Sequence, residues 1–181
     1  MTLLIERKVL TVAPPGWDTE RDPAHSAAPF ILHGYASTFG NVDAGRDVVL
    51  PSAFTDYEGA RLALLAYHDT HQPIGSIIVT NDSYGLKGEL QFNRHVQKAV
   101  ETYHLGRAGD VTAMSIGFSV PPGGSYRKGD IRYLQRVSLA EISVVVFPMN
   151  SRARLIGTKA HAAAEAAAKR LAHRTARAPY H

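Results

Sequence analysis

Along most of the chain, apolar side chains recur at every second position or gather in short unbroken runs. That is the signature of strands rather than helices. The clearest alternation is Tyr84–Phe92: Tyr84, Leu86, Leu90 and Phe92 share one phase with Gly88, and Lys87, Glu89 and Gln91 take the other. Ile74–Thr80 precedes it across Asn81-Asp82-Ser83, so the two arms predict a hairpin. Leu3–Ala13, Phe30–Phe39, Val48–Leu50, Leu62–Tyr67 and Val111–Val120 read as further strands. Ile131–Phe147 is long enough for one bent strand or two short ones, ended by Pro148. Residues 14–29 hold four Pro and one Gly and predict an irregular loop. Pro51-Ser52-Ala53-Phe54 predicts a turn into a short helix. Only His95–Leu105 has a helical period, through Val96, Ala99, Val100 and Tyr103, with Gly106 placed to stop it. Many short strands with one or two helices predict a mainly β (α+β) fold, a barrel or a sandwich.

Three polar residues interrupt the apolar logic. Ser115 lies in AMSIGFSV, where Met114, Ile116, Phe118 and Val120 form an apolar phase and Ala113, Ser115, Gly117 and Ser119 a uniformly small one. A face that small lets something approach closely, either a neighbouring layer or a ligand backbone. The strand pattern alone favours a packing face; a nucleophilic serine is the functional alternative. His68 ends the run LALLAYH. It is either a satisfied structural histidine or a group that takes and returns a proton near neutral pH. With Asp69 and His71 it offers only a weak metal pattern, lacking a clear third ligand. Glu141 lies in VSLAEISVVVFP, where both phases are apolar. A carboxylate there must be paired or hydrogen-bonded. Either Arg132 or Arg136 neutralises it, or it orients an imidazole. A serine, a histidine and an acid that act together need meet only in the fold, so spacing does not decide between these readings.

Composition removes several chemistries. The 181 residues contain no Cys, which excludes disulfides, a thiol nucleophile and thiolate metal sites. No apolar run approaches the ~20 residues of a membrane-spanning helix, and the first residues lack the pattern of a signal peptide, so a soluble intracellular protein is expected. The net charge is +4, from 20 Lys+Arg and 16 Asp+Glu. The last 23 residues, from Lys159, hold five of those bases, one acid and ten Ala, which leaves 15 bases and 15 acids in residues 1–158. The expected organisation is therefore a neutral domain over 1–158 and an Ala-rich, basic helical tail over 159–181. A neutral body argues against a specific nucleic-acid interface on the folded domain.

Four segments carry a more specific signal: GYASTFGNVDAGRDVVLPSAF (34–54), LLAYHDTHQPIG (64–75), AMSIGFSV (113–120) and AEISVVVFPMN (140–150). In this order they resemble the tailed-phage prohead proteases, serine endopeptidases of capsid maturation that are similar in fold to herpesvirus assemblin. The sequence departs from that pattern at Tyr67, where Trp is common, and at Ser52, which replaces a Gly. The resemblance implies a closed β-barrel with flanking helices, Ser115 as nucleophile, His68 as general base and Glu141 as third member. Assemblin uses a second histidine in that third place, which keeps His33, His71, His95 and His104 open. No metal or cofactor is implied. The implied partners are the major capsid protein and the scaffolding protein, inside the procapsid assembling in the bacterial cytoplasm, with cleavage of the protease itself. A homodimer stays open by analogy with assemblin. The competing expectation is a non-catalytic β-barrel module that binds scaffold through the small face around Ser115.

Overall fold

The computed structural model describes residues 30–157. The strand expected at Leu3–Ala13, the loop after it and the tail from Lys159 lie outside the described residues. Among the described residues ten strands run in chain order. They are β1 (Ile31–Thr38), β2 (Asp47–Val49), β3 (Arg61–Ala66), β4 (Pro73–Asn81), β5 (Gly85–Phe92), β6 (Ala113–Ser119), β7 (Ser125–Lys128), β8 (Ile131–Leu134), β9 (Ser138–Val145) and β10 (Leu155–Ile156). A 3-10 helix covers Pro51–Tyr57 and one α-helix, α1, covers Gln97–Ala108. The class is mainly β, as the alternation predicted. The long apolar segment after Asp130 is two strands, because Gln135-Arg136-Val137 breaks it. The short polar β7 and the two-residue β10 carry no apolar period and were not legible. Helix α1 runs through Gly106 and stops at Gly109, whose φ of 91° is the left-handed cap that glycine tolerates best. Gly106 stays inside because its missing side chain admits Leu32 and Leu155 against the helix.

The main sheet has seven strands in the order β10-β1-β5-β4-β3-β9-β6, and β2-β8-β7 form a small second sheet. Every neighbouring pair of the main sheet is antiparallel except β3–β9, where Leu64, Leu65 and Ala66 pair in parallel with Ile142, Ser143 and Val144. The strands describe a curled half-barrel. A fully closed barrel does not follow from them: β10 and β6 end the ladder, and only at one end does segment 153–155 join them. There Met114 N–H donates to Ala153 O (3.1 Å) and Leu155 N–H to Thr112 O (2.8 Å). Inside the curl sit Leu64, Ile74, Ile77, Leu86, Leu90, Met114, Ile142 and Val144, all fully buried. Burying each such side chain contributes roughly 1.5–3 kcal/mol relative to leaving it exposed.

Two conspicuous motif residues prove to be part of a structural lock. Asn150, of the FPMN segment, donates through Nδ2 to Thr38 Oγ1 (3.0 Å), and its Oδ1 accepts from Asn41 Nδ2 (3.1 Å) and Arg152 N–H (3.1 Å). Thr38 in turn donates to Asn41 Oδ1 (2.6 Å). The cluster ties the end of β1 to the segment that follows β9 and leaves Thr38 and Asn150 buried but satisfied. Replacing Asn150 by Ala is expected to destabilise the fold by about 1–3 kcal/mol, since it strands several buried groups. Urea unfolding checks this: the midpoint falls at constant m-value, and an unchanged midpoint refutes the lock.

Candidate active site

Strand β9 is the spine of the site. It lies between β3 and β6, so residues at the C-terminal end of β3 and in the middle of β6 meet across it. Ser115 stands opposite Ser143 in the β6–β9 ladder, and Leu65 stands opposite the same Ser143 from the β3 side. Cross-strand neighbours share a face, and so do residues two apart. Ser115, Ser143 and Glu141 therefore face one way, while Met114, Ile142 and Val144 face the core. Alternation from Ser143 sets Glu141 on that face, and a register shift follows it. Gly117 pairs with Glu141 but Phe118 pairs with Leu139, so Ala140 has no partner and Leu139 turns with Phe118 toward the core. The small face foreseen around Ser115 has its explanation here. The Glu141 side chain lies across Gly117, where a Cβ would strike Oε1 and come within 3.0 Å of the carboxyl carbon.

His68 follows β3 in a strained turn. Tyr67 and His68 have φ of 57° and 62°, a region costing roughly 1–2 kcal/mol for a residue with a Cβ. The Asp69 N–H donates to Ala66 O (3.0 Å) and closes the turn. Tyr67 N–H donates to Val144 O (3.0 Å) and His68 N–H to Ser143 Oγ (3.1 Å), so both strained residues are pinned to β9. The Asp69 carboxylate accepts from His71 N–H (2.9 Å) and Gln72 Nε2 (2.9 Å), which closes the loop back to β4. Asp69 is thus a turn residue, and His71 pairs with it at the surface (3.3 Å). The His71 N–H bond is the main reason the Asp69 carboxyl lies below its ordinary value of 3.8.

The strained turn brings His68 to Glu141. His68 Nδ1 lies 2.6 Å from Glu141 Oε1, and Ser143 Oγ donates to Glu141 Oε2 (2.6 Å). A carboxylate accepts only, so an ionised Glu141 takes its hydrogen bond from Nδ1–H, the tautomer that leaves a lone pair on Nε2. The pairing of Glu141 with Arg132 or Arg136 does not occur. Arg132 instead forms a two-pronged pair with Asp47, which faces it in the β2–β8 register, and that carboxylate raises the Arg132 pKa. Arg136 reaches only Pro122 O (3.5 Å). Of the four alternative histidines none reaches His68 Nδ1: His104, for example, packs edge-on against Phe30 and Tyr103. The hydrogen bonds run through His68, Glu141 and Ser143, and Ser115 is set beside them by register rather than by a bond of its own. Sequence reasoning missed Ser143, because a serine inside an apolar strand two residues past an acid carries no period of its own.

A cleft of about 260 Å³ opens beside Ser115, lined among others by Ala36, Asp43, Ile116, Arg132 and Asn150. Burial pushes the Asp43 carboxyl above its ordinary value, although its Oδ1 accepts from Gly45 N–H and Asp47 N–H (2.9 and 2.8 Å). Among the described residues no three His, Asp or Glu side chains converge in a way that would hold a metal ion.

Comparison with known proteins identifies the family. Residues 18–168 match the family model of the caudovirus prohead serine proteases, and the chain belongs to that family. The prohead protease of Enterobacteria phage HK97 is 31% identical over 135 residues, 71% of this chain. The chain spans 60% of the length of that relative. Among solved structures, the KSHV protease in complex with a hexapeptide phosphonate inhibitor aligns with a TM-score of 0.49 and 12% identity, over 70% of this chain and 63% of that one.

Two predictions follow from this geometry. Because the folded Asp69 pKa is depressed, its contribution to stability is present above the unfolded value and is lost as pH falls through the folded one. Wild type should therefore lose stability more steeply than Asp69→Asn below pH 3.8, measured by urea unfolding across pH. Gly117→Ala should push the Glu141 carboxylate off His68, which a crystal structure of the variant would show as a broken 2.6 Å contact; an intact contact counts against the fit described above.

Proposed function

We propose that the chain is a serine endopeptidase of phage capsid maturation, with Ser115 as nucleophile, His68 as general base and Glu141 as the carboxylate that orients it. One observation carries the reading: the His68–Glu141 contact of 2.6 Å lies next to Ser115 across β9. The strain at His68 adds to it, since a sparsely populated backbone conformation is retained only where the surroundings hold it. Family membership supplies the reaction class.

In this reading Ser115 Oγ attacks the scissile peptide carbonyl as its proton passes to His68 Nε2. The Nδ1 proton stays with Glu141, which stabilises the imidazolium. The tetrahedral intermediate expels the amine, which takes the proton from Nε2, and an acyl-enzyme remains on Ser115. Water then attacks the ester by the same route, returning the proton to Ser115 and releasing the acid. The substrates are the scaffolding protein or the scaffold-like arm of the major capsid protein, met inside the procapsid in the host cytoplasm, and the protease itself. The segment 159–181 is, in this reading, a docking element for packaging or a piece removed by self-cleavage.

The test is to co-express the chain with its capsid protein and weigh the products. Wild type should trim the capsid or scaffold chain, whereas Ser115→Ala and His68→Ala should lose at least about 10³-fold in rate. Equal trimming by wild type and Ser115→Ala would end the assignment.

A further inference from the structure

Ser143 is fully buried and lies on β9 between β3, which His68 follows, and β6, which carries Ser115. Its hydroxyl makes two bonds of opposite sense. It accepts from the backbone N–H of His68 (3.1 Å) and donates to Glu141 Oε2 (2.6 Å). The first bond holds the residue whose φ is 62°. The second fixes the plane of the carboxylate, leaving Oε1 aimed at His68 Nδ1. A carboxylate held at one oxygen only rotates about its last side-chain bond, because that torsion is broad. Held at both, it has one orientation. One hydroxyl thus locks the backbone that presents the imidazole and the carboxylate that the imidazole meets, closing a ring of three residues.

We propose that Ser143 is a positioning residue for the His68–Glu141 pair: through its single hydroxyl it couples the strained turn at His68 to the orientation of Glu141. It is not a second nucleophile, since it is closed off from solvent and its proton is committed to Glu141. The inference rests on the catalytic reading of the site for its effect on rate. Its geometric content, the alignment of the pair, stands apart from which serine reacts.

Two measurements on the full chain separate these layers. The first needs no activity. In proton NMR the His68 Nδ1–H, held by a carboxylate in a short charge-assisted bond, should give a low-field line in wild type that disappears in Glu141→Ala. It should move upfield or be lost in Ser143→Ala and persist in Ser143→Thr, which keeps the hydroxyl. An unmoved line in Ser143→Ala overturns the proposal, whatever the activity of the chain. The second is the rate of labelling by a fluorophosphonate, a general acylation-type probe of activated serines. Ser143→Ala should slow labelling about 10- to 100-fold, the scale expected for an ångström-sized misplacement, and Ser143→Thr should restore most of it. In a Glu141→Ala background, Ser143→Ala should cost clearly less than it does in wild type, because only its hold on the His68 backbone N–H is left to lose. Full additivity of the two losses overturns the proposal and leaves Ser143 a packing residue. Labelling that persists in Ser115→Ala instead refutes the assignment of the nucleophile, while the NMR line still decides the role of Ser143. Circular dichroism melting of each variant identifies one that has failed to fold, and Ser143→Thr then carries the comparison.

Discussion

The structure around the site depends on satisfying one carboxylate inside a sheet. Glu141 is nearly buried, in a strand whose neighbours are almost all apolar. A charge in that position is costly unless both of its oxygens find donors. The fold supplies them from different elements: an imidazole from the turn after β3 and a hydroxyl from β9 itself. Several local oddities follow from this requirement. Gly117 clears the space the carboxylate occupies, and two non-glycine residues adopt left-handed backbone to deliver the histidine.

The polar residues of the motifs therefore divide into two physical kinds. One kind converges on the site: His68, Ser115, Glu141 and, by its hydrogen bonds, Ser143. The other kind builds the frame that holds those side chains. Thr38, Asn41 and Asn150 lock β1 to the segment after β9, Asp69 closes the loop that starts at the histidine, and Asp47 with Arg132 joins β2 to β8. Such residues look like chemistry in a sequence because they are polar and stand beside the proposed catalytic positions. Their hydrogen bonds end on backbone and on each other, which is what structural polar groups do.

The frame and the proposed site also share strands. Segment 153–155 joins β6 to β1 three residues after Asn150, which with Met149 lines the cleft beside Ser115. The strand carrying Ser115 is thus an edge of the main sheet along part of its length and anchored along the rest. An anchored edge keeps the serine rigid while leaving it beside an open cleft.

The sequence alone determined the strand-dominated class, the hairpin of β4 and β5, the single internal helix and the neutrality of the domain, because period-two patterning and charge counts are local properties. It also raised His68, Ser115 and Glu141 as anomalies, since a polar residue in an apolar run is visible without a fold. The tertiary structure decided what each anomaly meets. It set Glu141 on His68 rather than on Arg132, laid it over Gly117, and drew Ser143 into the ring, through a parallel β3–β9 pairing and a β6–β9 register that no linear pattern announces. The physical reason is that hydrogen-bond partners 73 residues apart are chosen by strand register, and register is settled by the whole sheet at once.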